Sequence, residues 1–353
     1  ISNDNGASYE EVTFQVLTNR DFDSDHNIEN QMILTYAGQA GYELDKSDVL
    51  DAQEIRSSGF TSSGVAAIQT IATFAAYNES TNTKGDLIDV KVIENSGVSL
   101  LGYVGQSIIT RYSALDNYDG LGGELAALAV SAVDRQTITT IRFDLRGNAL
   151  EQEIVREYFD ETAGFVFNEA QSIVTLDTYD IHNRALDSTI KSYTNASFET
   201  FDNEMQHVMY LEYDKFGNVE RQTIDTYTTE TADINNQVDH KLIENTYTTL
   251  IAQRRGNADL SVVTRSDKGG NFIDRSTTTT TDFDDRGFAV DQNIITEVWD
   301  KTLATPVFVI TEKKEIHNID IDNRGDAETQ TIKSSISNDN GASYEEVTFQ
   351  VLT

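Results

Sequence analysis

Asp21, Asp23 and Asp25 alternate in the run DFDSD, and Asp282, Asp284 and Asp285 crowd the run TDFDD. Carboxylates in a pliable loop, helped by backbone carbonyls, are what Ca²⁺ takes as ligands, so these six residues are the candidate metal ligands. Asp320, Asp322 and Asp326 of IDIDNRGD form a third run of the same character. None of the three has the spacing of an EF-hand loop or the glycine-rich nonapeptide of calcium-binding β-helices, and diffuse counter-ion screening is the plainer reading. Five histidines, His26, His182, His207, His240 and His317, stand far apart, with no His-x-x-x-His pair and no Gly-x-Ser-x-Gly elbow. With 59 Asp and Glu to choose from, any carboxylate pair picked for glycoside hydrolysis is arbitrary. The expectation is therefore a protein that is not an enzyme, with no cofactor beyond Ca²⁺ and a carbohydrate-active enzyme as the last alternative.

The composition narrows the partners. A formal charge of −33 over 353 residues repels phosphate and anionic lipid, which argues against nucleic-acid binding and membrane attachment. The apolar stretches around 65–78 and 125–133 are shorter than the roughly 20 residues of a membrane helix, so no membrane insertion is expected. The chain opens on Ile1-Ser2-Asn3-Asp4, without the charged start and apolar stretch of a secretory signal. It contains no cysteine, hence no disulfide or thiolate site, and a single proline, Pro306, which marks a loop or an edge.

Repeats organise everything else. Residues 1–18, ISNDNGASYEEVTFQVLT, recur letter for letter at 336–353, an offset of 335 residues from position 1 to position 336. Residues 1–335 read as one period of a tandem array and 336–353 as the start of the next. A finer unit reads FDLRGNALEQEI at 143–154, YDKFGNVERQTI at 213–224 and FDDRGFAVDQNI at 283–294, with YDIHNRALDSTI at 179–190 and IDNRGDAETQTI at 321–332. Looser copies are FDSDHNIENQMI (22–33), LDKSDVLDAQEI (44–55), FTSSGVAAIQTI (60–71) and YDGLGGELAALA (118–129). The period divides into about five modules of about 67 residues, near 1–70, 71–137, 138–207, 208–277 and 278–335, each with two or more units.

Each unit has the chemistry of a β-hairpin. β-prone runs such as QTITTIRF (136–143) and DRSTTTTTDF (274–283) lead into it, and a strand of period two leads out. Asp144, Asp214 and Asp284 supply an acceptor that closes an Asx turn, while Gly147, Gly217 and Gly287 take the positive-φ position. Asn183 and Asn323 are the tolerated stand-ins for that glycine. Turn chemistry also accounts for Lys268-Gly269-Gly270-Asn271 and for Arg324-Gly325-Asp326, a tripeptide that some adhesion receptors read. Asn78-Glu79-Ser80 and Asn195-Ala196-Ser197 fit the N-glycosylation pattern. Strands such as ALEQEIVREY (149–158) and VERQTIDTYT (219–228) carry polar residues on both faces, which predicts a sheet wet on one side over a partly polar interior rather than a dry core.

The units YDKFGN (213–218), FDLRGN (143–148) and YDGLGG (118–123) resemble the YD repeats of the Rhs and teneurin-like proteins. That resemblance implies a continuous sheet wound from successive hairpins. The Gly-Arg step usual there is replaced by Gly-Asn, Gly-Phe or Asn-Arg, and neither a self-cleaving segment nor a toxin domain is evident. The expected fold class is all-β, a repeat-built β-solenoid or tubular spiralling sheet of stacked hairpins. The expected role is structural: an acidic, microbial, extracellular filament or cell-surface fibre, self-associating or continuing covalently into further repeats. The alternative is a repeat-built adhesin or shell segment that binds a glycan or receptor, with the irregular region 78–117 as the place for a binding loop.

Overall fold

A computed structural model describes residues 14–36, 49–78, 81, 83–85, 87–113, 132–176, 178–284, 286–321 and 325–353. Asp285, Asp322, Asn323, Arg324, Glu79, Ser80, the unit at 118–129, the start of the unit at 44–55 and residues 1–13 lie outside the described residues. The protein is nearly all β, as the β-prone runs and hairpin units predict. Nineteen strands are antiparallel sheet, and two short ones form a separate hairpin. The chain folds as two compact units, residues 1–177 with 192–201, and residues 178–191 with 202–353.

In the first unit β1 (Phe14–Phe22), β2 (Ile28–Tyr36), β3 (Val49–Ser58) and β4 (Ile68–Phe74) pair in sequence order. The small hairpin of β5 (Tyr77–Asn78) and β6 (Thr83–Lys84) interrupts the meander. It resumes through β7 (Leu87–Ser96), β8 (Gln106–Tyr112), β9 (Ala132–Phe143), β10 (Ala149–Asp160) and β11 (Gly164–Val174). After β12 (Asp187–Tyr193), the second unit repeats the scheme in β13 (Phe201–Tyr213), β14 (Val219–Tyr227), β15 (Gln237–Thr246), β16 (Leu260–Ser266) and β17 (Phe272–Phe283). It ends with β18 (Ala289–Asp300), β19 (Val307–Ile321), β20 (Ala327–Ile336) and β21 (Glu345–Leu352). Each of these ladders joins a strand to the next one of the meander. Local pairing of this kind has low contact order and grows one hairpin at a time.

Two findings depart from the sequence reading. The first unit has a dry core: Met32, Leu34, Tyr36, Val49, Ala52, Phe74, Val90 and Val92 are all buried in one cluster, because runs such as QMILTY and IATF place apolar residues close together. The second unit keeps the wet pattern expected of the whole chain, with β17 and β18 half-buried over most of their length. The other departure is a helix, α1 (Leu250–Arg255), in a chain expected to be all-β. Thr249 caps it by accepting from the Ala252 amide, Arg254 and Arg255 sit in its last turn, and Gly256 leaves it at φ 74°.

Candidate functional site: a rail of linked turns

The recurring turn has one geometry. At Asp23, Asp144, Asp180, Asp214, Asp267 and Asp284 the carboxylate Oδ1 accepts backbone N–H bonds from the residues two and four positions on, at 2.8–3.0 Å. The backbone closes the same loop. The residue three positions on donates to the carbonyl of the Asp, and the Asp amide donates to the carbonyl four positions on. The third position has φ between 62° and 93° and holds glycine at Gly147, Gly217, Gly270 and Gly287, asparagine at Asn183 and histidine at His26. Thr61 and Ser99 build the same loop with a hydroxyl as acceptor. A bulge adjoins the turn in the strand pairing at four of these hairpins, beside Asp21, Glu151, Glu212 and Asp282, where it adds twist.

The fourth position after the Asp does two things. It returns a side chain to the carboxylate, as in Asn27 to Asp23, Asn148 to Asp144 and Asn218 to Asp214, each at 2.8 Å, and in Arg184 to Asp180 at 2.7 Å. In several turns it also reaches the next one. Asn218 donates to the Gln253 carbonyl at 2.7 Å, Arg184 to the Asp214 carbonyl at 3.2 Å, and Tyr103 to the Leu145 carbonyl at 3.2 Å. Asn257, just beyond α1, donates to the Gly287 carbonyl at 2.7 Å, and Arg286 to the Ile321 carbonyl at 2.6 Å. These links span 30 to 42 residues, one hairpin to the next. Within each unit several of the turns are thus tied to a successor and form a rail. Tyr213, at the aromatic position of its unit, adds a donation to the Ala185 carbonyl at 2.5 Å under the Arg184 guanidinium, and burial first, then the neighbouring Tyr210, pushes its hydroxyl up to about 12.

The carboxylates of Asp23, Asp144, Asp180 and Asp267 are held in their ionised form. The Asn27 amide is the largest influence on Asp23 and holds its pKa below the usual carboxylate value, as the Asn271 amide does for Asp267. At Asp144 and Asp180 burial acts first and upward, but donation by Asn148 and Arg184 outweighs it and the net shift is down.

A second recurring contact crosses five of the hairpins. Gln31, Gln69, Gln152, Gln292 and Gln330, all at the tenth position of the unit, donate across the ladder to Asn19, Ser57, Thr140, Thr280 and Asn318, each twelve residues back. Three histidines pair with aspartates on adjacent strands: His207 with Asp187 at 2.9 Å, and His240 with Asp225 and His317 with Asp291 at 2.7 Å. An arginine held by a glutamate under an aromatic ring occurs in both units: Arg135 with Glu157 and Phe165, and Arg275 with Glu297 and Phe308.

Of the six candidate metal ligands, Asp23 and Asp284 spend their carboxylates on the turn, and Asp21 accepts the Phe22 amide. Asp282 lies opposite Asp291 beside a bulge, and Asp25 donates its backbone amide to Asp23. No group of three or more histidines and carboxylates is placed to hold a metal ion among the described residues. Asn195 of the glycosylation pattern closes a turn with Glu199 and Thr200. Gly325 has φ 93° against the Phe288 ring. Pro306 directly precedes β19. In the second unit an open groove of about 450 Å³ is lined by Asn245, Tyr247, Asn257, Phe283, Phe288 and Gln292 among others, with no carboxylate or histidine in its wall. No helix among the described residues is long and apolar enough to cross a membrane.

The Asp and the glycine of the turn are legible in the sequence, but the two connectors were missed there. The glutamine at the tenth position was visible as a recurrent letter. The link from the fourth position to the next turn was hidden because its residue changes from Tyr to Arg to Asn while its role stays the same.

The architecture is that of a β-rich repeat protein. No family model matches the chain, and no curated protein matches it. Among solved structures it is similar to a chain of the TcdB2-TccC3-Cdc42 crystal structure, at 11% identity over 94% of this chain and 23% of that one, with a TM-score of 0.17. It is also similar to a chain of the TcdB2-TccC3 structure, at 12% identity over 92% of this chain and 24% of that one, with a TM-score of 0.18. The chain spans about a quarter of the length of those chains. Likeness of this degree carries no argument about activity.

Proposed function

We propose that the chain is a structural segment of an extracellular or cell-surface filament, built as one period of a tandem array. The observation that supports this best is the rail: one turn geometry repeated along the chain, with hydrogen bonds that tie several of the turns to the next. An element whose neighbours are always copies of itself has no natural stopping point, and stacking removes the exposed edge that a lone hairpin would present. The 18-residue identity between 1–18 and 336–353 extends that logic from the hairpin to the whole period. Tension along such a chain is carried by covalent continuity and by ladders, and the charge of −33 keeps neighbouring filaments apart. X-ray fibre diffraction of the native material tests it. A reflection near 4.7–4.9 Å from stacked strands, accompanied by a long axial repeat, supports a filament. Discrete monomers of the native protein refute it.

The groove in the second unit favours a second reading, an adhesin or shell segment that binds a glycan, because aromatic rings beside amides suit a sugar. It stands second because the amides there are engaged internally: Asn257 on Gly287, Asn245 on Val219 and Gln292 on Thr280.

A further inference from the structure

The runs at 143–154 and 283–294 put the same turn into both units, with Phe143 matching Phe283, Gly147 matching Gly287 and Gln152 matching Gln292. What covers the two turns differs. In the first unit Tyr103, from the loop between β7 and β8, closes over its turn. Its ring lies 5.2 Å from that of Phe143, its hydroxyl donates to the Leu145 carbonyl at 3.2 Å, and a Cβ on Gly147 would stand 2.8 Å from it. In the second unit the loop between β15 and β16 is longer and contains α1, and it brings Arg255 and Asn257 to Gly287 instead. Phe283 there faces the open groove of about 450 Å³. The fourth position of the turn changes with it. Asn148 returns its amide to Asp144, whereas Phe288 lines the groove and Arg286 holds Asp284 in its stead.

We infer that this groove beside α1 is a binding site for a neutral pyranose sugar, which it takes as a hydrogen-bond donor. The donors of the wall are spent inside the protein: the Asn245 amide and the Tyr247 hydroxyl on the Val219 carbonyl, the Asn257 amide on the Gly287 carbonyl, and the Gln292 amide on Thr280. The amide oxygens of Asn245, Asn257 and Gln292 accept no bond from the described residues, and the bonds made by their nitrogens fix the amide planes. Ser261 and Thr278 add hydroxyls. Such a wall accepts hydrogen bonds and requires a ligand that donates them. Charge narrows the ligand further. No carboxylate belongs to the wall in a chain with 59 Asp and Glu, so a cation finds no counter-charge there, while the formal charge of −33 repels an anion. A pyranose meets each condition: its hydroxyls donate, its apolar C–H face suits the rings of Phe283, Phe288 and Tyr247, and it is uncharged. The groove's volume falls within the roughly 300–1,000 Å³ of small-molecule sites. The site rests on the adhesin-or-shell reading for its biological use alone. A chain that binds a sugar in solution but does not adhere to a surface bearing that sugar would remove that reading and keep the site.

Saturation-transfer NMR on the full chain tests it, with the methyl pyranosides of glucose, galactose, mannose and N-acetylglucosamine as probes and methyl glucuronide as the charged counterpart. At least one neutral sugar is expected to bind, with Kd in the millimolar range or tighter and the strongest transfer to its ring C–H protons, and methyl glucuronide is expected to bind more weakly than methyl glucoside at low salt. Phe283→Leu is expected to weaken binding roughly tenfold through lost stacking, and Thr278→Val about threefold through one lost hydrogen bond. Phe143→Leu, the same change beneath Tyr103 in the first unit, is expected to leave binding unaltered, and urea midpoints show that each variant is folded. No transfer to any of the four neutral sugars overturns the inference. Binding that survives both Phe283→Leu and Thr278→Val, binding that Phe143→Leu weakens equally, or methyl glucuronide bound as tightly as methyl glucoside overturns it as well.

Discussion

Asn218 and Gln253, 35 residues apart, are joined by a 2.7 Å bond from the Asn218 amide to the Gln253 carbonyl, and the same amide holds the Asp214 carboxylate at 2.8 Å. One side chain therefore closes its own turn and fixes the next. Asn218→Ala removes both bonds, one of them to a charged acceptor, and is expected to lower stability by about 1–3 kcal/mol. Asn218→Asp, which cannot donate and brings a second carboxylate to Asp214, is expected to be worse. Urea unfolding of the two variants checks the order.

Glycine serves the turn for two separable reasons. Gly217 has φ 93° with open space where a Cβ would stand, whereas a Cβ on Gly287, at φ 90°, would lie 2.5 Å from Arg255 Cγ. Gly217→Ala is expected to cost only the left-handed strain, about 1 kcal/mol, and Gly217→Asn less, since Asn183 holds the equivalent place at φ 62°. Gly287→Ala adds displacement of the Arg255 side chain and is expected to cost more. Thermal midpoints that fall from Gly217→Asn through Gly217→Ala to Gly287→Ala would support this.

Gln292 donates to Thr280 across a half-buried ladder position. Gln292→Ala is expected to cost about 0.5–1.5 kcal/mol, and replacing both partners by apolar residues less than the sum of the single changes. A double-mutant cycle with Thr280→Val measures the difference.

How much of this was legible in advance depended on whether a feature was written in one short run or assembled from several strands. Asp144 with Gly147 is a turn written in four letters, so its type and place follow from side-chain chemistry alone. The all-β class follows similarly from period-two runs. The helix at Leu250–Arg255 was missed because six residues give too little periodicity to register, although Thr249, Arg254, Arg255 and Gly256 are its caps. The core around Tyr36 was missed because it is made by β2, β3, β4 and β7 together, and no single strand displays it. The cluster Asp21, Asp23 and Asp25 looked like a cation site in the letters. In the structure Asp23 accepts two backbone amides, a contact that depends on the fold of the loop rather than on its composition.

The Asp144 carboxylate has a folded pKa below its usual value, so its contribution is present above the ordinary Asp range and is lost as pH falls through the folded value. Acid also relieves the repulsion among 59 carboxyl groups, which works in the opposite direction. The difference between parent and Asp144→Ala isolates the turn. The gap in thermal midpoint is expected to be constant near neutral pH and to close below about pH 4. A gap that widens on acidification would contradict the sign.

Glu54 is 2% exposed and is held between Arg56, at 2.6 Å, and Lys84. Burial is the largest influence on it and acts upward, but the two cations together bring the net shift down. Lys84→Met leaves Arg56 as its main counter-charge and is expected to destabilise the first unit by about 1–3 kcal/mol at neutral pH, with the loss shrinking once Glu54 protonates. Unfolding curves at pH 7 and pH 4 read the difference.

The mass of the intact native polypeptide tests the central claim most directly. A filament built as a tandem array predicts a mass several times that of the 335-residue period, rising in steps of one period between length variants. A native polypeptide near 39.3 kDa would contradict it.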